Sequence, residues 1–342
     1  MPKDNENIPP IFLGPMAPSE PQGFKLEEMV TCEECLRANA PTRVACMYCG
    51  QPLPVNEATA RLRRPTLKAP ERNQPGFNSI IIPQQSVLAE REFAQVAKLL
   101  RLDEAALQQI IDANLPLPLA RTSTAEESVL VSERLAELGV RAASIGDPEL
   151  GLTEPHLKVR ALTFQNDALS FHQAGRADVS EVLLSDVMLI VAARIVRSQI
   201  EIRERKTRKT EGEIVDSSQF YADELMIDLY SAKDPRAWRI ASNSFDFSCL
   251  GEYKTLVAGE NLNRLTELLR TRMPNAQLDH SYDKLRSILE HVWPSQVETT
   301  STGWKRERPG KYVVGAATSN SNEEQFTRYS RLRSYLVLKP LT

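Results

Sequence analysis

Apolar residues begin to recur at helical spacing where Val87, Leu88, Phe93, Val96, Ala97 and Leu100 follow Ser86. That pattern predicts a helix with Ser86 as its cap, and Asp103 is placed to cap a second one running through Ile111. Leu117–Ala120 reads as a strand, which Pro118 confines to a sheet edge because proline has no amide to donate to a ladder. Ser123-Thr-Ala-Glu126 has the form of a capping box, so a helix is predicted from there through Leu138, with Gly139 ending it and Val140–Ile145 as a further strand. On this phasing Ala125, Val129, Ser132, Leu135 and Leu138 face the sheet. Alternating positions then predict seven short strands: Leu157–Phe164, Ala168–His172, Val187–Ala193, Ile195–Arg203, Leu225–Tyr230, Trp238–Ala241 and Phe245–Cys249. Gln165-Asn166-Asp167 suits the hairpin turn between the first two, and Lys206–Ser218 reads as a polar loop. Helices follow at Asn261–Met273, with Leu262, Leu265, Leu268 and Leu269 on one face, and at Tyr282–His291. A last helix carries Phe326, Tyr329, Leu332 and Leu336 as an apolar stripe, with Arg328, Arg331 and Arg333 as an outward basic rim.

These patterns divide the chain into a disordered tail (1–24), a cysteine-bearing module (25–52), a proline-rich linker (53–78), a small α/β domain (79–152), a strand-rich domain with helices (153–294) and a basic tail with an amphipathic helix (295–342). Six prolines in the first 24 residues, and Pro54, Pro65, Pro70 and Pro75 in the linker, deny those stretches helix and central strand. The helix between two strands in 117–145 resembles small ferredoxin-like or ribosomal-stalk-like binding modules. The seven strands followed by a helix resemble, in order and length, a pleckstrin-homology-like barrel. The fold class expected is therefore α+β and multidomain: a small β-α-β unit and an antiparallel barrel with C-terminal helices, beside the cysteine module.

Composition changes this picture little. Of 342 residues, 42% are hydrophobic and 25% charged, as in ordinary soluble domains, and the net charge of −3 supplies no general attraction to nucleic acid or anionic lipid. The start, Met1-Pro-Lys-Asp-Asn-Glu-Asn, lacks the basic and apolar regions of a signal peptide. The most apolar run, Val187–Ala193, is too short to cross a bilayer. A cytoplasmic protein is expected.

The chemistry lies in the cysteines. Four of the five fall within 18 positions as Cys32-Glu-Glu-Cys35 and Cys46-Met-Tyr-Cys49-Gly50. A two-residue gap lets both thiolates of a pair turn to one point, and two pairs supply four soft ligands for a tetrahedral ion. The stretch resembles a zinc ribbon, which implies one structural Zn2+ held by Cys32, Cys35, Cys46 and Cys49. Two disulfides or buried free thiols compete with that reading; the regular pairing and a reducing compartment favour metal.

Catalytic signatures are missing. The chain has no GxxxxGK[ST], GxGxxG, HExxH or GxSxG motif, and His156, His172, His280 and His291 are scattered without ligand spacing, as surface or strand residues. Cys249 reads as part of a buried strand face. Two basic clusters remain. Arg203, Arg205, Lys206, Arg208 and Lys209 stand among Glu201, Glu204, Glu211 and Glu213, and residues 301–342 hold eight Lys and Arg against three Glu. On the ribbon, Arg37 and Arg43 are offset by Glu28, Glu33 and Glu34. The function expected is a non-catalytic zinc-binding adaptor or regulatory protein with a protein partner. The alternative is nucleic-acid binding through the ribbon and the basic C-terminal segment.

Overall fold

A computed structural model of the chain describes residues 23–25, 28–54, 63, 65–71, 74–84, 88–173, 179–207, 210–308 and 311–341. Nearly all of the expected tail, the Ser86 cap, and Arg208 and Lys209 lie outside the described residues. Contacts divide the chain into two compact units, one ending at Pro65 and one beginning at Thr66. Among its described residues the first holds two short antiparallel strands, β1 (Val30–Thr31) and β2 (Ala38–Asn39), and a small core of Val30, Cys32, Cys46 and Leu53.

The second unit contains a small sheet and a large one. The small sheet has the order β4-β3-β5, from β3 (Phe77–Ile81), β4 (Pro118–Thr122) and β5 (Ala142–Gly146), with β3 antiparallel to both neighbours. Two helices, α1 (Glu90–Leu100) and α2 (Glu104–Asp112), precede β4, and α3 (Ala125–Glu137) joins β4 to β5. The β-α-β unit is thus split by a strand that the sequence reading places at the end of the linker. Pro75 and Gly76 mask it, yet four of its five residues are buried. Pro118 does lie on an edge strand. Thr124, not Ser123, caps α3 by accepting from the Glu127 amide. The buried residues are Glu127, Ser128, Leu130, Val131 and Leu135, not the predicted set, of which Leu135 alone is shared. Polar side chains turn inward here because they satisfy one another: the Ser144 hydroxyl donates to that of Ser128 at 2.8 Å, and Ser79 lies 3.3 Å from Ser128.

The large sheet is built from β6 (Leu157–Gln165), β7 (Ala168–Gln173), β8 (Val179–Leu183), β9 (Val187–Thr207), β10 (Thr210–Ser231), β11 (Ala237–Ala241), β12 (Gln277–Asp279), β13 (Gln296–Arg308) and β14 (Lys311–Ser321). Its order is β13-β14-β9-β10-β11-β6-β7-β8, with β12 also on β9. β11 pairs parallel with β6, and β12 parallel with β9. The sheet is therefore mixed and curls into a half-barrel with β13 and β8 at its ends, where the sequence reading has an antiparallel barrel.

The two strands expected at 187–203 are one strand of 21 residues, and the expected polar loop at 206–218 continues as β10. Arg194 does not interrupt β9, because its side chain points to solvent beside Asp223. Phe245–Cys249 is not a strand: two 3-10 turns, Ser242–Ser244 and Phe247–Tyr253, replace it, the second capped by Asp246 accepting from the Ser248 amide. Likewise the expected basic tail opens with the β13–β14 hairpin. Behind these strands lie α4 (Ala258–Arg272), α5 (Tyr282–Leu289) and α6 (Glu323–Leu338).

Two hydrophobic clusters fill the second unit. One joins Phe171, Ile190, Trp238, Leu262, Leu265 and Leu269, with Trp238 stacked on Phe171 at 4.6 Å. The other runs from Ile80, Val131 and Leu135 through Leu189 and Val191 to Trp293, Phe326 and Leu332, so the boundaries drawn at 152 and 294 cross a continuous core. The stripe Phe326, Tyr329, Leu332 and Leu336 is buried as its spacing predicts. The arginines beside it do not form an outward rim. Arg331 is buried and donates to the Glu154 carbonyl at 2.8 Å, Arg333 pairs with Asp279 at 2.6 Å, and Arg328 reaches Asp147 and Glu324. Each guanidinium finds an acceptor supplied from far away in the sequence, which offsets the loss of water.

Candidate metal centre

The four sulfurs of Cys32, Cys35, Cys46 and Cys49 all lie within 4.8 Å of one another. Cys32 and Cys49 are 3.6 Å apart, and Cys35 and Cys46 3.5 Å. A tetrahedral ion with bonds of about 2.3 Å to sulfur sets its ligands roughly 3.8 Å apart, so the residues present fit a metal. The same distances far exceed the ~2.05 Å of a disulfide, and all five cysteines are free.

Each pair sits in a turn of its own. In the first, the Cys32 amide donates to Arg37 and the Leu36 amide to the Cys32 carbonyl; in the second, Cys46 donates to Gln51 and Gly50 to Cys46. The residue after each pair takes a left-handed conformation, Gly50 at φ 78° and Leu36 at φ 57°. Glycine meets that demand freely, as the sequence suggests at Gly50; leucine meets it under strain.

Asn39, which carries no sequence signal, ties the two turns together. Fully buried, it donates to the Arg37 carbonyl at 2.9 Å and to the Cys46 sulfur at 3.4 Å, and accepts from the Met47 amide at 2.9 Å. Burial opposes a thiolate at Cys46, but the Cys49 and Tyr48 amides and Asn39 outweigh it and bring the pKa down to about 6. Cys49 goes the other way, up to about 12: the Gln51 amide favours its thiolate, and burial and the neighbouring sulfurs prevail. The cluster thus concentrates negative charge on one sulfur, and a cation would take up the rest by displacing protons. Asn39→Ala should weaken metal binding by about 10–100-fold, as loss of a partner that orients a ligand does. Competition with a chromophoric chelator measures it, and an unchanged affinity would remove Asn39 from the site.

Of the other candidates, Cys249 lies at a half-buried position and its thiol is pushed up, chiefly by burial. The side chains of Arg203, Arg205 and Lys206 lie outside the described structure. His156 is no surface residue. Its Nε2 lies 2.9 Å from the Tyr230 hydroxyl and 3.2 Å from the carboxylate of Asp228, which is fully buried and held bidentate by Arg239 at 2.7 Å. Asp228 and Arg239 face each other across β10 and β11, and Arg239 also reaches Glu323 at the start of α6. The strand pattern conceals this network because its members come from four separate segments.

Burial, assisted by Arg239 and Arg331, holds His156 below its ordinary pKa of 6.5 despite the pull of Asp228. The fold therefore keeps the ring neutral, while the unfolded chain takes up a proton near pH 6.5. Stability from this residue is complete above that pH and is lost as the pH falls below it towards the folded pKa. In urea titrations from pH 7.5 downward, His156→Gln should flatten the early part of the loss. An identical slope in the variant would count against the assignment.

No protein-family model, curated protein or solved structure significantly matches the chain. Among the described residues, no helix is long and apolar enough to cross a membrane.

Proposed function

We propose that this chain is a non-catalytic, zinc-binding adaptor of the cytoplasm whose ribbon docks onto another protein. The observation that carries the reading is Leu36. It is held at φ 57°, a conformation that costs a leucine about 1–2 kcal/mol, while its side chain is 76% exposed. The conformation closes the first cysteine turn, with the Leu36 amide donating to the Cys32 carbonyl at 2.9 Å, but the leucine side chain gains no burial from it. Met47 and Tyr48, on the other cysteine turn, are 60% and 51% exposed, and Arg37 lies over the Tyr48 ring at 4.7 Å. Two metal-fixed turns thus offer apolar side chains to solvent, an arrangement that suits a protein partner. Four sulfurs at tetrahedral spacing leave no open position for a substrate, which supports a structural ion, and an all-sulfur set suits zinc.

Elemental analysis of the purified full chain should find one zinc. The partner test compares captures by the native chain and by Leu36→Gly. Glycine relieves the strain, so the variant should be more stable by about 1 kcal/mol and yet lose the partner. Iron in place of zinc, or a partner retained by Leu36→Gly, would overturn the reading.

One observation favours the nucleic-acid alternative. In register, Arg205 of β9 stands opposite Val313 of β14, and Val313 opposite Lys305 of β13; Thr207, Lys311 and Arg308 are aligned in the same way. Two basic runs that are remote in sequence thereby occupy one sheet, on β9 and β13 with β14 between them. Retention on a DNA resin that falls steeply with salt would favour this second reading.

A further inference from the structure

The second unit carries a cavity of about 620 Å³ between the end of β6, the 3-10 turn at 247–253 and the solvent side of α4. Its floor is apolar. Leu250 belongs to the hydrophobic cluster beneath, and Phe164, Cys249 and Leu268 pack against that cluster. Its rim is basic. The Arg272 guanidinium lies 5.4 Å from the centre of the Phe164 ring, and no acidic group pairs with it among the described residues. The acid on the rim, Glu267, is already paired with Arg270 at 2.8 Å.

The loop leaving the cavity continues the apolar surface outward. Tyr253, Leu256 and Val257 are 67%, 105% and 53% exposed. This loop is held in place. Buried Asn261 accepts from the Thr255 amide at 2.7 Å and donates to the Thr255 carbonyl at 2.8 Å, and Arg264 donates to the Tyr253 carbonyl at 2.6 Å. Leu256 is therefore presented to solvent by a rigid clamp, so little ordering entropy remains to be lost on binding.

We propose that this surface receives an acidic segment of a partner protein, which inserts an aromatic or leucine side chain into the cavity. The charge follows from Arg272, whose guanidinium no carboxylate answers among the described residues; Lys254 on the loop is already paired with Asp246 at 3.4 Å. The size of the occupant follows from the loop. A small carboxylate would fill the cavity but leave Leu256 and Val257 bare, whereas a polypeptide covers both. The site lies in the second unit, uses no cysteine of the metal centre, and stands or falls independently of the ribbon's partner.

The test selects short random peptides on the full metal-loaded chain, with counter-selection on Arg272→Glu, a surface change that should leave the melting temperature unaltered. Enriched peptides should place Asp or Glu around a Phe, Trp or Leu. By fluorescence anisotropy they should lose about tenfold in affinity on Arg272→Glu or on replacing the anchor with Ser. Cys249 is the one cysteine outside the metal cluster, so its alkylation rate reports occupancy, and a bound peptide should slow it. Failure to enrich any sequence, enrichment of neutral or basic sequences, or affinity unchanged by Arg272→Glu would overturn the proposal. So would protection of Cys249 by decanoate with none from the peptides, which would make the cavity a small-molecule site. Should Arg272→Glu misfold, the milder Arg272→Gln and the salt dependence of binding decide the charge argument.

Discussion

Stripping the metal from the ribbon should unfold the first unit outright while leaving the melting of the second unit unchanged. The physical reason is the poverty of its core. Among the described residues, Val30 and Leu53 are the aliphatic members of its hydrophobic cluster, the other buried members being cysteines. Burying those two contributes about 1.5–3 kcal/mol each, which cannot match the entropy of ordering more than twenty residues at roughly 1–2 kcal/mol apiece. Two strands of two residues add little. Metal binding to four thiolates supplies roughly 10–16 kcal/mol in comparable small modules, enough to close the gap. Chelation, or Cys46→Ser, should therefore open residues 28–54 to protease and to amide exchange. A chelated chain in which this segment stays protected would show that something besides the metal holds it.

The candidate metal centre was legible because all four of its cysteines are local in sequence. Two CxxC pairs and a following glycine state the turns almost completely, and only Asn39 escaped, since one asparagine between the pairs belongs to no pattern. Elsewhere the readable features were those decided within one element: Pro118 on an edge strand, Asp103 as a cap accepting from the Ala106 amide, and the stripe on α6. What failed depended on distant partners. The outer part of β10 was taken for a loop because its described side chains there, such as Phe220 and Tyr221, are exposed, and the ladder that extends β9 comes from β14, a segment about a hundred residues later. His156 and the arginines of α6 look like surface residues until Asp228, Asp147, Asp279 and the Glu154 carbonyl are brought to them. The buried face of α3 was misplaced because Glu127 and Ser128, polar in the sequence, turn inward to meet Thr66, Ser79 and Ser144.

Ending the chain at residue 320 should abolish the cooperative fold of the second unit, not merely lower its melting temperature. Phe326, Tyr329 and Leu332 are almost wholly buried, Leu336 nearly so, and each contributes about 1.5–3 kcal/mol; their sum rivals the roughly 5–15 kcal/mol by which a domain is normally stable. Phe326 meets the Tyr282 ring edge-on at 5.2 Å, within the same core as Trp293 and Leu189. Polar losses add to this. Gln325 accepts from the Tyr282 hydroxyl at 2.8 Å and donates to the Trp293 carbonyl at 2.7 Å, and Ser330 lies 2.7 Å from the Tyr230 hydroxyl. Without the helix these groups, and Asp279 beneath Arg333, are left buried or half-buried without partners, at about 1–3 kcal/mol for each such group. The point variant Leu332→Ala separates packing from mere chain length, since it removes one fully buried side chain and keeps every residue of the helix; a loss of about 2–5 kcal/mol is expected from urea titration. If Leu332→Ala costs nothing and the shortened chain still melts in one sharp step at the native temperature, α6 is not part of the core.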